Sequence, residues 1–320
     1  MNGQLEAQSR PFRAEQAELS YGCGKELVAP FRSGESPSFT KEFFKLWIVG
    51  ANGFVGKVFS SKVEGVKSGR EVDITDLEKI RAFIRAKGPF THIVNCAALS
   101  EVDLAESRVE EAFRLNAQGP ENLGLVASEM GAKFLHLSTD YVFDGKERVP
   151  LKEEAEPNPC NVYGKSKWEG EERLFSVFPE ACILRTSWIF GSEGKNFVAK
   201  LLPLLETQEE LKLVFDQTSK PTYVHDLAAA ILALLNESGL FHFANSEATN
   251  KYEFSLVFRE IAEKMGFPIR CKKIIPVLSS EFSSPAKRPL YSALDTGKIS
   301  QKISIRPWKE CIEEYLRAKT

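Results

Sequence analysis

The chain has 320 residues, enough for one large or two modest domains. Hydrophobic residues make up 43% and charged residues 27%, which excludes a disordered chain, and a formal charge of −2 excludes general attraction to nucleic acid or anionic membrane. The longest unbroken apolar run, Leu227 to Leu235, is nine residues and cannot span a bilayer. The N-terminus lacks the apolar stretch of a secretory signal and mixes Glu with Arg, so a soluble cytoplasmic protein is expected. Six scattered cysteines without a C-x-x-C argue against a disulfide scaffold, and four scattered histidines lead us to expect no metal.

Residues 1–44 are rich in Ser, Glu, Gly and Gln and follow no period, so they are expected to form a flexible extension that the fold can lose. The pattern changes at Lys45. Residues 45–50 (KLWIVG), 91–98 (THIVNCAA), 132–138 (AKFLHLS) and 181–188 (ACILRTSW) read as buried strands. Between them, residues 77–86, 103–130 (broken at 118–120) and 161–178 have helical length. This alternation predicts an α/β fold: a doubly wound parallel sheet covered on both faces. After residue 189 the elements mix: helices over 197–206, 224–235 and 252–265, and strands over 211–215 and 240–244. Five prolines at 268, 276, 285, 289 and 307 suit loops around a smaller mixed α/β lobe.

Gly50-Ala51-Asn52-Gly53-Phe54-Val55-Gly56 follows the first strand and opens a helix. Glycines there let the backbone turn sharply and approach a pyrophosphate, whose charge meets free N–H groups at the helix N-terminus. An ordinary tight turn is the alternative. Tyr163 and Lys167, four apart on a predicted helix, share a face about 6 Å apart. A cation so placed would lower the tyrosine pKa towards working pH; the alternative is two residues on a solvated face. Thr139, 24 residues earlier at a strand end, adds a hydroxyl, or merely caps the next turn.

Glycine turn, Thr139 and Tyr163-x-x-x-Lys167, in that order, resemble the extended short-chain dehydrogenase/reductase superfamily. Further segments narrow the likeness: Asp73-Ile74-Thr75-Asp76, Val94-Asn95-Cys96-Ala97-Ala98, Ser138-Thr139-Asp140-Tyr141-Val142-Phe143-Asp144-Gly145, Arg185-Thr186-Ser187-Trp188 and Pro285-Ala286-Lys287-Arg288-Pro289. Together they resemble the dTDP-4-dehydrorhamnose reductase family over about residues 45–320. The resemblance implies a Rossmann-type dinucleotide-binding part over 45–190, and a substrate lobe over 191–320 with segments returning to the first part. It implies NAD(P)H-dependent reduction of dTDP-4-dehydro-β-L-rhamnose to dTDP-β-L-rhamnose, the last step of dTDP-rhamnose synthesis for surface polysaccharide. Tyr163 would give the proton to the 4-keto oxygen, Lys167 would hold the nicotinamide ribose, and Thr139 would polarise the carbonyl, with Asp140 beside it at the sugar. Gly53, Phe54 and Val55 would lie along the pyrophosphate, Asp73 and Ile74 near the adenine, and Ala98, Leu99 and Ser100 by the ribose. Trp188 would offer its ring to the deoxysugar, or else pack in the core; Arg288 would pair with the substrate diphosphate, or else be a surface cation.

Only 16 residues separate Gly56 from Asp73, where a helix, loop and strand within a βαβ unit usually take more of its ~30 residues, so the first helix or second strand must be short. Lys67, Ser68 and Arg70 stand where an NAD-type acidic residue would end that strand. With no acidic neighbour expected, Arg70 is predicted to meet a 2′-phosphate and to favour NADPH, NADH being the second candidate. Two rivals share the pattern. One is a nucleotide-sugar epimerase or dehydratase, although such dehydratases usually place Thr-Asp-Glu where this chain has Thr139-Asp140-Tyr141. The other is a non-catalytic NADP-binding partner resembling the regulatory subunit of methionine adenosyltransferase. Oligomeric state is left open, a homodimer being admitted.

Overall fold

The computed structural model describes residues 44–192, 194 and 196–319. The expected N-terminal extension lies outside the described residues except for Phe44, whose ring sits 4.8 Å from that of His92. The first half runs β1 (Leu46–Val49), α1 (Phe54–Lys62), β2 (Val66–Ser68), α2 (Leu77–Lys87), β3 (His92–Asn95), α3 (Val102–Ser107), α4 (Val109–Phe113), α5 (Gly119–Met130), β4 (Lys133–Thr139) and α6 (Val162–Val177). It continues with β5 (Cys182–Thr186), β6 (Ile189–Phe190), α7 (Phe197–Thr207), β7 (Glu210–Val214), β8 (Thr222–Tyr223) and α8 (Val224–Ala233). Last come β9 (Gly239–Phe243), α9 (Lys251–Lys264), β10 (Lys273–Val277) and α10 (Trp308–Arg317).

Six strands make one wholly parallel sheet in the order β2-β1-β3-β4-β5-β9. Side chains alternate across a strand, so each run of apolar residues supplies two cores. Leu46, Ile48, Val94, Leu135 and Leu184 pack against α1 and α8 through Phe59, Leu227 and Ile231. On the other face Trp47, Val49, Ile93, Phe134 and Ile183 pack against α2, α5 and α6 through Ile80, Leu123 and Leu174. The sheet is thus doubly wound. A third core joins α7, α9 and α10 with β7 around Leu201, Phe254, Phe258, Trp308 and Tyr315. In it β7 pairs with β10, and the two-residue β6 pairs with β8. Among the described residues no helix is long and apolar enough to cross a membrane.

Both short elements required between Gly56 and Asp73 are present: α1 has nine residues and β2 three. The break expected at 118–120 is not there. The helical path breaks at Arg108 (φ −125°, ψ 52°), then passes through a π-helical turn, Arg114–Gln118, directly into α5. Pro120 sits in the first turn of α5, where a missing N–H costs little. The stretch read as proline-bearing loops also contains β10 and α10.

Candidate active site

In a parallel sheet a ligand crevice forms where the strand order reverses, here between the C-terminal ends of β1 and β3. The glycine turn fills that position. Gly50 has φ +74°, and a Cβ there would lie 2.6 Å from the Ala97 backbone nitrogen, so only glycine lets the β1 turn pass so close to the β3 loop. Gly53 caps α1 with no side-chain hydrogen bond, leaving the first N–H groups of Phe54, Val55 and the buried Gly56 directed out of the helix. This arrangement suits an anionic group.

At the far end of the crevice, β2 is anchored by Trp47 Nε1 donating to Ser68 Oγ at 2.9 Å and by Ala51 N–H donating to Ser68 O at 2.9 Å. A cleft of about 410 Å³ opens there, lined among others by Asn52, Lys57, Ser60, Lys67 and Glu71. The residues present fit a dinucleotide: free N–H groups for a pyrophosphate and the cations Lys57 and Lys67 in the adjoining cleft. The expectation of no acidic neighbour fails. Glu71 lies next to Arg70 and takes the Gly69 N–H at 2.6 Å, which holds its carboxyl below the usual range. Arg70 is exposed and lies outside the cleft lining.

Asp73 and Ile74, expected by the adenine, also hold the fold locally. Asp73 accepts from the Thr75 N–H and hydroxyl at 3.0 and 2.8 Å, and Ile74 is buried beneath Gly119. Ala98 and Ser100 are exposed beside the crevice. Leu99 is buried, its N–H donating to Asn116 Oδ1 at 2.8 Å and its carbonyl accepting from Asn116 Nδ2 at 3.0 Å. Asn116, in the π-helical turn, also donates to Ser166 of α6 at 3.0 Å. It therefore ties the β3 loop to the tyrosine helix. Its sequence neighbourhood gave no sign of this role.

Helix α6 starts under Asn161, whose side chain accepts the Gly164 N–H at 2.7 Å. A Cβ at Gly164 would lie 2.1 Å from the Tyr141 carbonyl, so glycine lets the helix reach the end of β4. The helix then presents Tyr163, Lys167 and Glu171 at i, i+4 and i+8 along one inward stripe. Tyr163 lies against Thr139, whose hydroxyl works to lower the tyrosine pKa, and sets its ring edge-on to Tyr141 at 5.9 Å. Burial pushes its hydroxyl up to about 12. Here the structure departs from the expected lowering by Lys167: the Lys167 Nζ contacts His136 Nε2 at 3.0 Å and donates to the Leu137 carbonyl at 2.6 Å. Burial draws Lys167 down to about 8. One turn on, Glu171 accepts from Ser138 and pairs with Arg185 at 2.6 Å, both partners being 1% exposed.

Asp140, expected at the sugar, is buried. It accepts from Ser292 at 2.5 Å, Ser219 at 3.2 Å and Thr139 at 3.2 Å, so its carboxylate staples the end of β4 to two distant loops. Burial raises it to about 6. Arg288 pairs with Asp103 at 2.7 Å and lies near Tyr141, the ring that abuts Tyr163. It lines a cleft of about 330 Å³ with Phe197, Gln217, Lys251 and Phe282. Trp188 packs on Phe197 and Phe254 at 5.9 and 5.1 Å, and its Nε1 is buried without a hydrogen-bond partner. Its φ of +37° is strained for a bulky residue, the kind of backbone that clusters at functional sites. Among the described residues no group of three or more His, Cys, Asp or Glu has metal-binding geometry.

Residues 44–320 match the model of the RmlD substrate binding domain family. The spore coat polysaccharide biosynthesis protein SpsK of Bacillus subtilis is 38% identical over 231 residues, covering 71% of this chain and 79% of its own. A dTDP-4-dehydrorhamnose reductase of Sinorhizobium fredii is 36% identical, covering 83% of this chain and 94% of its own. Among solved structures, a dTDP-4-dehydrorhamnose reductase from Clostridium acetobutylicum superposes with a TM-score of 0.80 at 36% identity, covering 86% and 99%. One from Bacillus anthracis in complex with NADP gives 0.80 at 30% identity, covering 86% and 99%.

Proposed function

Because the chain belongs to the RmlD substrate binding domain family, that of the dTDP-4-dehydrorhamnose reductases, we propose that it reduces dTDP-4-dehydro-β-L-rhamnose to dTDP-β-L-rhamnose with NADPH. The observation that carries this reading is the juxtaposition of Tyr163 with Thr139 at the C-terminal end of β4, Lys167 following one turn along α6, beside the crevice that the glycine turn opens. A dinucleotide bound there supplies a hydride to the C4 carbon. Tyr163, protonated throughout the neutral range, gives its proton to the C4 oxygen, and Thr139 polarises that carbonyl beforehand. Lys167 holds the nicotinamide ribose. Trp188 offers an apolar face to the deoxysugar, and Arg288 leaves Asp103 to meet the diphosphate. In this reading the sheet part, residues 45–190, holds the dinucleotide, and most of 191–320 holds the sugar nucleotide. Arg185-Thr186-Ser187-Trp188 and Asp216-Gln217, which look more like the reductase, support an enzyme over a non-catalytic NADP-binding partner.

A second substrate is favoured by one specific likeness. A dTDP-4-keto-6-deoxy-D-glucose reductase of Streptomyces niveus is 32% identical, covering 84% of this chain and 95% of its own. Supplying each keto sugar in turn with NADPH and following nicotinamide oxidation separates the two. Oxidation with the rhamnose precursor alone is expected; oxidation with the glucose-derived ketone alone would move the assignment to the second substrate.

A further inference from the structure

Beneath Tyr163 lies a row of buried polar groups whose hydrogens can be placed by elimination. Asn95 and His136 are register partners on the adjacent parallel strands β3 and β4, and both are buried. Asn95 Oδ1 accepts the Ala97 N–H at 2.9 Å. Its Nδ2, which can only donate, therefore faces His136 Nδ1 at 3.0 Å. Nδ1 is then the acceptor of the ring, and a neutral imidazole carries its hydrogen on Nε2. That N–H points at Lys167 Nζ, 3.0 Å away. An ammonium has three donors and no acceptor, so it would set hydrogen against hydrogen, whereas an amine has the lone pair the contact needs.

We propose that His136, its tautomer fixed by Asn95, is a positioning residue that favours Lys167 as a neutral amine in the nucleotide-free protein. Of the other groups around Lys167, the Glu171 carboxylate favours the ammonium, but burial outweighs it. On β4 the Leu137 carbonyl accepts from Nζ, as it can from an amine. After β3 stands the Cys96 thiol, pushed up to about 12 by burial and therefore uncharged. On α6, Tyr163 lies a turn before and Glu171 a turn after, the carboxylate of Glu171 being engaged by Ser138 and by Arg185 of β5. Burial holds His136 well below its usual range, so the ring stays neutral. Burial brings Lys167 to about 8, and the N–H of His136 opposes its ammonium further. The consequence, which rests on the reductase reading, is that Tyr163 keeps its proton until the dinucleotide enters.

The test is nitrogen-15 and carbon-13 NMR on the nucleotide-free full chain, reading the ring nitrogens of His136 and the ε-carbon of Lys167 against pH. The expected result is hydrogen on His136 Nε2 and a Lys167 midpoint at or below about 8. Asn95→Asp should reverse both. One carboxylate oxygen keeps the Ala97 N–H and the other takes a hydrogen from Nδ1, freeing Nε2 to accept from an ammonium and raising the Lys167 midpoint by about one pH unit or more. Hydrogen on Nδ1 in the unaltered chain, or an unmoved midpoint in the Asp variant, overturns the proposal. If the variant does not fold, the tautomer of the unaltered chain decides alone. No nucleotide is present, so a chain that shows the Nε2 hydrogen yet reduces no keto sugar would refute the reductase reading and leave this inference standing. In a working reductase, the alkaline limb of kcat/KM for NADPH, which reports the nucleotide-free protein, should move upward with Asn95→Asp.

Discussion

Replacing Tyr163 with Phe removes one oxygen and leaves the ring. The ring's edge contact with Tyr141 survives, and Thr139 keeps its bonds to the Tyr141 N–H and to Asp140 at 3.2 Å each. The folding cost is therefore that of one buried polar contact, at most about 1 kcal/mol, or a fall in Tm of roughly 2–4 °C. The catalytic cost is larger. Loss of a positioned general acid lowers turnover by roughly 10²–10⁴, equivalent to about 3–5 kcal/mol of barrier. Steady-state rates with saturating NADPH, thermal melts and a nucleotide titration on the same preparation separate the two effects. The expected variant is nearly as stable as the parent, binds NADPH and turns over at least a hundredfold more slowly. Turnover within a few-fold of the parent would refute the assignment of Tyr163 as proton donor.

Three further outcomes follow from the geometry. Glu71→Gln should strengthen NADPH binding relative to NADH about two- to fivefold by removing a carboxylate from the adenosine cleft, whereas Arg70→Ala should change the ratio little because Arg70 lies outside that lining; paired titrations check both. Glu171→Leu should cost about 3–5 kcal/mol by stranding buried Arg185, and Arg185→Leu on top should recover much of it, as urea melts would register. Asp140, raised from 3.8 to about 6, holds a proton in the folded chain that the unfolded chain has already released, so its effect is a loss of stability as pH rises from about 4 to 6. Asp140→Asn should remove that slope and be about 1–3 kcal/mol the more stable at pH 7, which melts across pH 4–7 would detect.

The strands of the main sheet were legible because each is a run of apolar residues buried on both faces. β2 was not, since Val66-Lys67-Ser68 carries one apolar residue and owes its place to pairing with β1. β6 and β8, two residues each, depend on each other across 33 residues and leave no local pattern. Reading the C-terminal prolines as loop markers hid α10, although Trp308, Cys311, Ile312, Tyr315 and Leu316 fall at helical spacing and are buried. Pro120 misled in the opposite sense, because a first-turn proline is compatible with a continuing helix. In the site, Tyr163, Lys167 and Thr139 could be read from spacing along one chain segment. His136, Asn95 and Asn116 could not: their partners lie 17 to 50 residues away, and only strand register and the π-helical turn bring them together. A faint signal existed in Asn95 and His136, polar residues set beside apolar neighbours in β3 and β4.

The most direct measurement mixes the purified chain with NADPH and dTDP-4-dehydro-β-L-rhamnose and follows both nicotinamide oxidation and the sugar by NMR. The predicted result is one equivalent of dTDP-β-L-rhamnose for each NADPH consumed, with the rate lost in Tyr163→Phe. NADPH that binds but is not oxidised by this or any other 4-keto nucleotide sugar would contradict the account.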